Sequence, residues 1–260
     1  MHATIIDLAK DAAIAAGEIT QSYFRNVEIR EKAINNLVTQ ADIDAQKEIV
    51  RHIHSLFPTD EILGEESDHT AALDAPRLWI IDPLDGTGNY AHGIPHYCIS
   101  IAFAAQGRVE AGVVYDPVRR EMFHAARGEG AFCNGEKIEV SHLTDLQRAL
   151  IATGFYYDRG ELMEKTLSVL GRLFRATIQD IRRTGSAALD LWWVAAGRLD
   201  AYFEYRLSPW DFAAGMLIAR EAGGRVVDRY GQECRIDSQG VVASTEEIMD
   251  NLLEHVRWID

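Results

Sequence analysis

The sequence predicts a layered α/β protein, and three textures in series predict it. Apolar residues recur at helical spacing near the N-terminus, form short strand-like runs between residues 97 and 140, and then switch between strand and helix after Ala149. With 260 residues, 47% hydrophobic and 25% charged, the chain can bury one large core or two intimate halves.

Ile5, Leu8, Ala12, Ala15, Ile19 and Tyr23 fall at steps of three and four, so residues ~4 to 25 read as an amphipathic helix. A second helix carries Ile49, Ile53 and Leu56 on one face and stops before Pro58, which disfavours helix in its predecessor. Two short apolar segments follow, Glu61–Gly64 and residues 78–81, each ending in acids. CISIAFAA, VEAGVVY, EMFHAA and AFC then read as an antiparallel meander, punctuated by Gln-Gly, Asp-Pro, Gly-Glu-Gly and Asn-Gly. Beyond it come strand LIATGF, helix 161–174, a strand around Ile178, helix 187–196, strand AYFEY, a helix from Pro209, strands RVVD and VVAS, and a last helix. No repeat or linker interrupts this order. Residues 1–145 and 146–260 are therefore expected to pack as one unit, with the seam near 141–148.

The net charge of −14 argues against a nucleic-acid scaffold or an anionic membrane surface, since long-range steering would repel both. An anionic small molecule would need a local source of positive charge. Cys98, Cys133 and Cys234 form no CxxC pair, which suggests neither a disulfide framework nor a structural zinc site and fits a reducing cytoplasm. The start, MHATIIDLAKD, lacks the features of a signal peptide. Residues 86–107 hold no Asp, Glu, Lys or Arg, but Asn89, His92, Pro95, His96 and several glycines make them a poor membrane span.

The chemistry-bearing candidates are acids. Asp82 and Asp85 follow the apolar run Leu78-Trp79-Ile80-Ile81, and Pro83 cannot donate to a sheet ladder, so pairing is expected to stop there with both carboxylates at one strand end. Gly86 and Gly88 would let the backbone approach a ligand, and amides beside Thr87 could hold phosphate oxygens. Read alone, the same residues are an Asp-Gly turn with a solvated aspartate. Glu65, in Gly64-Glu65-Glu66-Ser67, reads alone as surface charge or a helix start. Asp211 reads as the acidic member of a capping box behind Ser208 and Pro209, a role that competes with metal binding for the same oxygen. His52 and His54 cannot share a helix face, His92 and His96 lack a third partner, Trp192 and Trp193 read as packing, and Asp42-Ile43-Asp44 reads as helix N-terminal charge.

Taken together and in order, Gly64-Glu65-Glu66-Ser67, the stretch WIIDPLDGTGNY from Trp79, and Trp210-Asp211 opening a helix closed by Glu221-Ala222-Gly223-Gly224 resemble the inositol monophosphatase family. The resemblance covers nearly the whole chain. It implies a five-layer αβαβα sandwich of the sugar-phosphatase type, a homodimer, lithium sensitivity and Mg²⁺-dependent hydrolysis of a polyol or sugar phosphate monoester, myo-inositol 1-phosphate foremost. It implies further that Glu65, Asp82, Asp85, Asp211 and the Leu84 carbonyl bind about two or three magnesium ions. These are hard oxygen donors, the type magnesium prefers, and divalent ions would reverse the sign of an acidic site. In the implied mechanism metal-activated water attacks phosphorus directly, with Glu65, Thr87 and Asp82 as catalytic residues and no phosphoenzyme.

The same resemblance places substrate against Asp85, Gly86, Thr87, Gly185, Ser186, Ala187, Glu204 and Asp211, with Glu204 meeting polyol hydroxyls. Asp42 and Lys32 would support a more weakly held metal. Tyr90 stands where phenylalanine is commoner, Gly88 replaces a usual Thr or Ser, and residues 205–209 lack the histidine of some inositol-specific members, so substrate identity stays open. Fructose 1,6-bisphosphate, histidinol phosphate and nucleotide phosphates are the alternatives, although no basic pair for a second phosphate is evident. A haloacid-dehalogenase-type phosphatase is disfavoured because its two aspartates lie two apart rather than three. A regulatory binding protein of the transcription machinery is the reading from a different class.

Overall fold

The computed structural model describes residues 2–26, 29–33, 36–67, 69–157 and 159–258. Helices α1 (His2–Tyr23) and α2 (Gln40–Leu56) flank a hairpin of β1 (Ile29–Ala33) and β2 (Asn36–Thr39). Thr39 is the N-cap of α2 and Asp42 its capping-box partner. β3 (Glu61–Gly64) runs parallel to β4 (Leu78–Asp85), and the short helix α3 (Thr87–Ala91) follows. β5 (Cys98–Ala105), β6 (Arg108–Asp116), β7 (Glu121–Ala126), β8 (Ala131–Cys133) and β9 (Glu136–Ile138) form the expected antiparallel meander and complete a seven-stranded sheet in sequence order.

The C-terminal part alternates as its sequence does: β10 (Leu150–Thr153), α4 (Glu161–Arg175), β11 (Asp180–Arg182), α5 (Ala187–Ala195), β12 (Ala201–Glu204), α6 (Pro209–Glu221), β13 (Arg225–Asp228), β14 (Val241–Ser244) and α7 (Glu246–Val256). Its sheet has the order β11-β10-β12-β14-β13. The strand expected around Ile178 begins only at Asp180.

Side-chain alternation along the strands builds the layers. On β4, Trp79 and Ile81 pack with Ile5, Ala12, Ile49 and Ile53 of α1 and α2. Leu78 and Ile80 face the other way, into a core shared with Leu191 and Trp192 of α5, Phe212 and Leu217 of α6, and Tyr202 and Ala243 of the second sheet. The far face of that sheet, through Ile151, Phe203 and Val242, packs on Val169 of α4 and Ile248 and Leu252 of α7. The result is the five-layer αβαβα sandwich. β4, covered by helices on both faces, is buried at all eight positions. Residues 212–219 of α6 are all buried because that helix lies between two sheets. The approach is close: a Cβ on Gly112 of β6 would lie 3.0 Å from the Ala214 backbone.

Pro83 does not end the ladder. Asp82 pairs with Ser100 and Asp85 with Cys98, and the register slips between them, so the missing N–H produces a bulge after which pairing resumes. The three cysteines are free thiols. Among the described residues no helix is long and apolar enough to cross a membrane.

Candidate active site

Parallel pairing of β3 and β4 sets Gly64 opposite Ile81, so the chain leaves β3 beside Asp82. The Glu65 N–H donates to Ile81 O at 3.1 Å, which fastens that exit. α2 grips the same turn. Gln46 Oε1 accepts the Glu66 N–H at 2.9 Å, and it would stand 2.4 Å from a Cβ on Gly64, which accounts for the glycine.

Asp82 shares the face of Leu78 and Ile80, toward the middle helices, and its Oδ1 accepts the Leu84 N–H at 3.0 Å. Asp211 opens α6 in that layer. The Ser208 N–H donates to Asp211 Oδ2 at 2.7 Å, so the cap exists and uses one carboxylate oxygen. The competition expected for a single oxygen is thus avoided, because the cap leaves the other carboxylate oxygen for a ligand. The bulge directs Asp85 to α5: its Oδ2 accepts Ser186 Oγ at 2.6 Å and the Ala188 N–H at 2.7 Å.

Burial pushes the Asp82 carboxyl well above the usual range, and Glu65, Asp85 and Asp211 add to it. Asp211 is raised by burial and then by Asp85 and Glu65. Asp85 is raised by burial against the opposing bonds from Ser186 and the α5 amides. These acids, drawn from separate segments, thus share one electrostatic environment. Among the described residues no three His, Cys, Asp or Glu side chains stand together as a ready cation cage. In chemistry the donor set is one of hard oxygens, the type a cation such as magnesium prefers.

Gly86 has φ +96°, and a Cβ there would meet His96 O at 2.9 Å, so only glycine suits the turn into α3. Gly88 differs. It has no positive φ, and a Cβ there would meet nothing within 4 Å, so no close approach of the protein's own atoms demands it. Thr87 Oγ1 lies 3.0 Å from Leu84 O and 3.1 Å from Asp42 Oδ1, sharing one hydrogen between them. Asp42 Oδ2 accepts the Thr39 N–H at 2.8 Å and its hydroxyl at 2.5 Å. Burial raises the Asp42 carboxyl to about 6 despite those bonds. Asp42 is thus helix cap and anchor of Thr87 at once. Lys32 lies in β1, and its side chain is outside the described residues.

Glu204 ends β12, where Tyr202 Oη donates to its Oε2 at 2.7 Å. A Cβ on Gly154 would overlap that oxygen at 1.7 Å, so this glycine makes room for the carboxylate. Burial, then proximity to Asp85, raises Glu204 to about 7 against the Tyr202 bond and the Arg183 charge. Gly185, at φ +94°, precedes Ser186, the N-cap of α5. Tyr90 is buried and its hydroxyl donates to Thr20 O at 2.5 Å, which satisfies the polar group that phenylalanine would lack.

Two adjoining cavities of about 420 and 350 Å³ result, a size suited to small ligands. Glu204 lines the first; Asp82, Leu84, Gly86 and Thr87 line the second; Glu65, Asp85, Gly185 and Asp211 line both. Sequence reading missed Gln46, which carries no local signal. It also missed Asp190, a buried acid in α5 that accepts Thr184 Oγ1 at 2.6 Å, although an acid amid SAALDLWWVA was a visible anomaly.

The model of the inositol monophosphatase family matches residues 1–259. The chain belongs to the inositol monophosphatase family. Nus factor SuhB of Escherichia coli strain K12 is 40% identical over 260 residues, spanning 99% of this chain and 97% of that protein. Among solved structures, the extragenic suppressor protein SuhB of Bartonella henselae superposes with a TM-score of 0.92 at 37% identity and covers 98% of each chain. The Thermotoga maritima IMPase superposes at 0.89 with 35% identity, covering 98% of this chain and 97% of that one. Inositol monophosphatase family members are generally metal-dependent and bind phosphate monoesters.

Proposed function

We propose that this chain is a Mg²⁺-dependent phosphatase that hydrolyses the phosphate monoester of a polyol or sugar, with myo-inositol 1-phosphate as the first substrate to test. The observation that carries the reading is the mutual electrostatic influence of Asp82, Asp85, Asp211 and Glu65 around the two cavities, in a member of this family. Glu65, Asp82, Asp85, Asp211 and the Leu84 carbonyl would hold about two or three magnesium ions, which supply Lewis acidity and cancel the acids' charge.

The remaining roles belong to the chain itself. Thr87 donates to Leu84 O or Asp42 Oδ1, which keeps its lone pairs for a hydrogen of the attacking water. Glu65 takes the other proton as the water oxygen bonds to phosphorus and the ester P–O bond breaks, and return of that proton to the leaving alkoxide oxygen releases alcohol and orthophosphate. The Gly86 and Thr87 amides bind phosphate oxygens. Glu204, with the Gly185-Ser186-Ala187 turn beside it, receives the alcohol's hydroxyls; a carboxyl near pH 7 can serve as donor or acceptor there. Asp42 supports the site through its bond to Thr87.

Phosphate release by the purified chain, measured with and without magnesium, tests this. Release from inositol 1-phosphate that EDTA abolishes is the expected result; no release from any phosphate monoester would sink the proposal. A second reading rests on the curated relatives' name, Nus factor: a binding role in the transcription machinery. Co-purification with transcription proteins that survives Asp85→Asn would separate that role from catalysis.

A further inference from the structure

Sequence reading found no basic pair for a second anionic group, yet the fold assembles one. Arg206 follows Glu204 and Tyr205 directly, and Arg183 precedes the Gly185 turn; both are exposed, and both line the 420 Å³ cavity that holds Glu204. We infer that Arg206, stacked on Tyr156 and joined by Arg183, selects phosphate esters whose leaving alcohol carries a second anionic group. The inference rests on the phosphatase reading and names the substrate class within it.

Three observations carry it. Arg206 Cζ lies 4.6 Å from the centre of the Tyr156 ring, in the loop after β10, so its guanidinium has a platform that limits its freedom. Stacking leaves the N–H fork unused, and no carboxylate among the described residues forms an ion pair with either arginine. Position decides the specificity: Arg206 lines the Glu204 cavity and not the neighbouring one with Asp82, Leu84 and Thr87. Its charge therefore stands at the leaving-group end, away from the phosphorus to be attacked.

Arg183 lines both cavities and folds over the turn, its Nη1 2.7 Å from where a Cβ on Gly185 would be. A purely compensating role would explain Arg183, which acts on Glu204 and Asp190. It does not explain Arg206, which is not among the leading influences on either acid. A neutral polyol offers a guanidinium only uncharged hydroxyls. A phosphate or carboxylate offers two charged oxygens in the geometry of its fork.

The test compares kcat/KM for inositol 1-phosphate, whose leaving alcohol is neutral, with fructose 1,6-bisphosphate and 2-phosphoglycerate, whose leaving alcohols carry a phosphate and a carboxylate. Arg206→Gln should lower kcat/KM on the charged pair about tenfold more than on inositol 1-phosphate, mainly through KM. Arg206→Lys should restore part of the difference, and Tyr156→Ala should act in the same direction as Arg206→Gln, whereas Tyr156→Phe should not. Whichever charged ester loses more identifies the second group as phosphate or carboxylate. Thermal melting checks that each variant is folded. An equal change on all three esters, or cleavage by the wild type of inositol 1-phosphate alone, overturns the inference and leaves the phosphatase reading standing. Cleavage of none overturns both.

Discussion

Ser186 Oγ donates to Asp85 Oδ2 at 2.6 Å, tying the N-cap of α5 to the end of β4. The same hydroxyl accepts the Leu189 N–H at 3.4 Å, so one side chain both starts a helix and orients a candidate ligand. Ser186→Ala should lower the free energy of unfolding in urea by about 1–2 kcal/mol and also slow phosphate release. An unchanged urea midpoint would show that the bond contributes nothing.

Asp85→Asn should bring turnover to background while the protein stays folded. In EDTA its melting temperature should equal or exceed that of the wild type, because Asp82 and Asp211 lose a neighbouring negative charge. Retained turnover would remove Asp85 from the proposed metal site.

The two glycines after Asp85 should respond oppositely. Gly86→Ala meets a positive φ and the His96 carbonyl, and should cost about 1–3 kcal/mol in chemical denaturation. Gly88→Ala lies in α3 with open space around its Cβ and should stabilise by up to about 1 kcal/mol. Equal losses at both positions would contradict the assigned backbone.

Glu204 sets a pH dependence that a single variant can isolate. Its carboxyl is raised from 4.5 to about 7 in the fold, so the folded state holds the proton more tightly than the unfolded chain does. The associated stability is complete below about pH 4.5 and is lost as pH rises through about 7, a decline of roughly 3 kcal/mol. In EDTA, wild-type stability should fall between pH 5 and 8, and Glu204→Gln should fall less over the same window. Other raised acids titrate in both proteins, so the difference between the two curves reports Glu204. Parallel curves would rule out the shift.

Much of the architecture was legible because its signals are local. The 3.6-residue spacing of Ile5, Leu8 and Ala12, the short runs of the meander and the cap at Ser208 each act within a few residues. The misreadings arose where a distant partner intervened. Pro83 was expected to end a strand, but pairing with Cys98 resumes beyond it. The open space at Gly88, which lines the second cavity as a ligand-facing glycine would, is likewise visible only in three dimensions.

By itself, then, the sequence determined most of the helices and strands and, through motifs in series, the family, but not the β1–β2 hairpin, α3 or the place of Asp82 inside β4. Tertiary structure decided what the acids meet. Parallel pairing brings Glu65 beside Asp82, the bulge carries Asp85 to the first turn of α5, and the sandwich seats Asp211 in the same layer. It also brings Arg183 and Arg206 to one cavity. Hydrophobic periodicity is set by near neighbours and can be read along the chain, whereas electrostatic coupling depends on distance in space, which strand register and layer packing create.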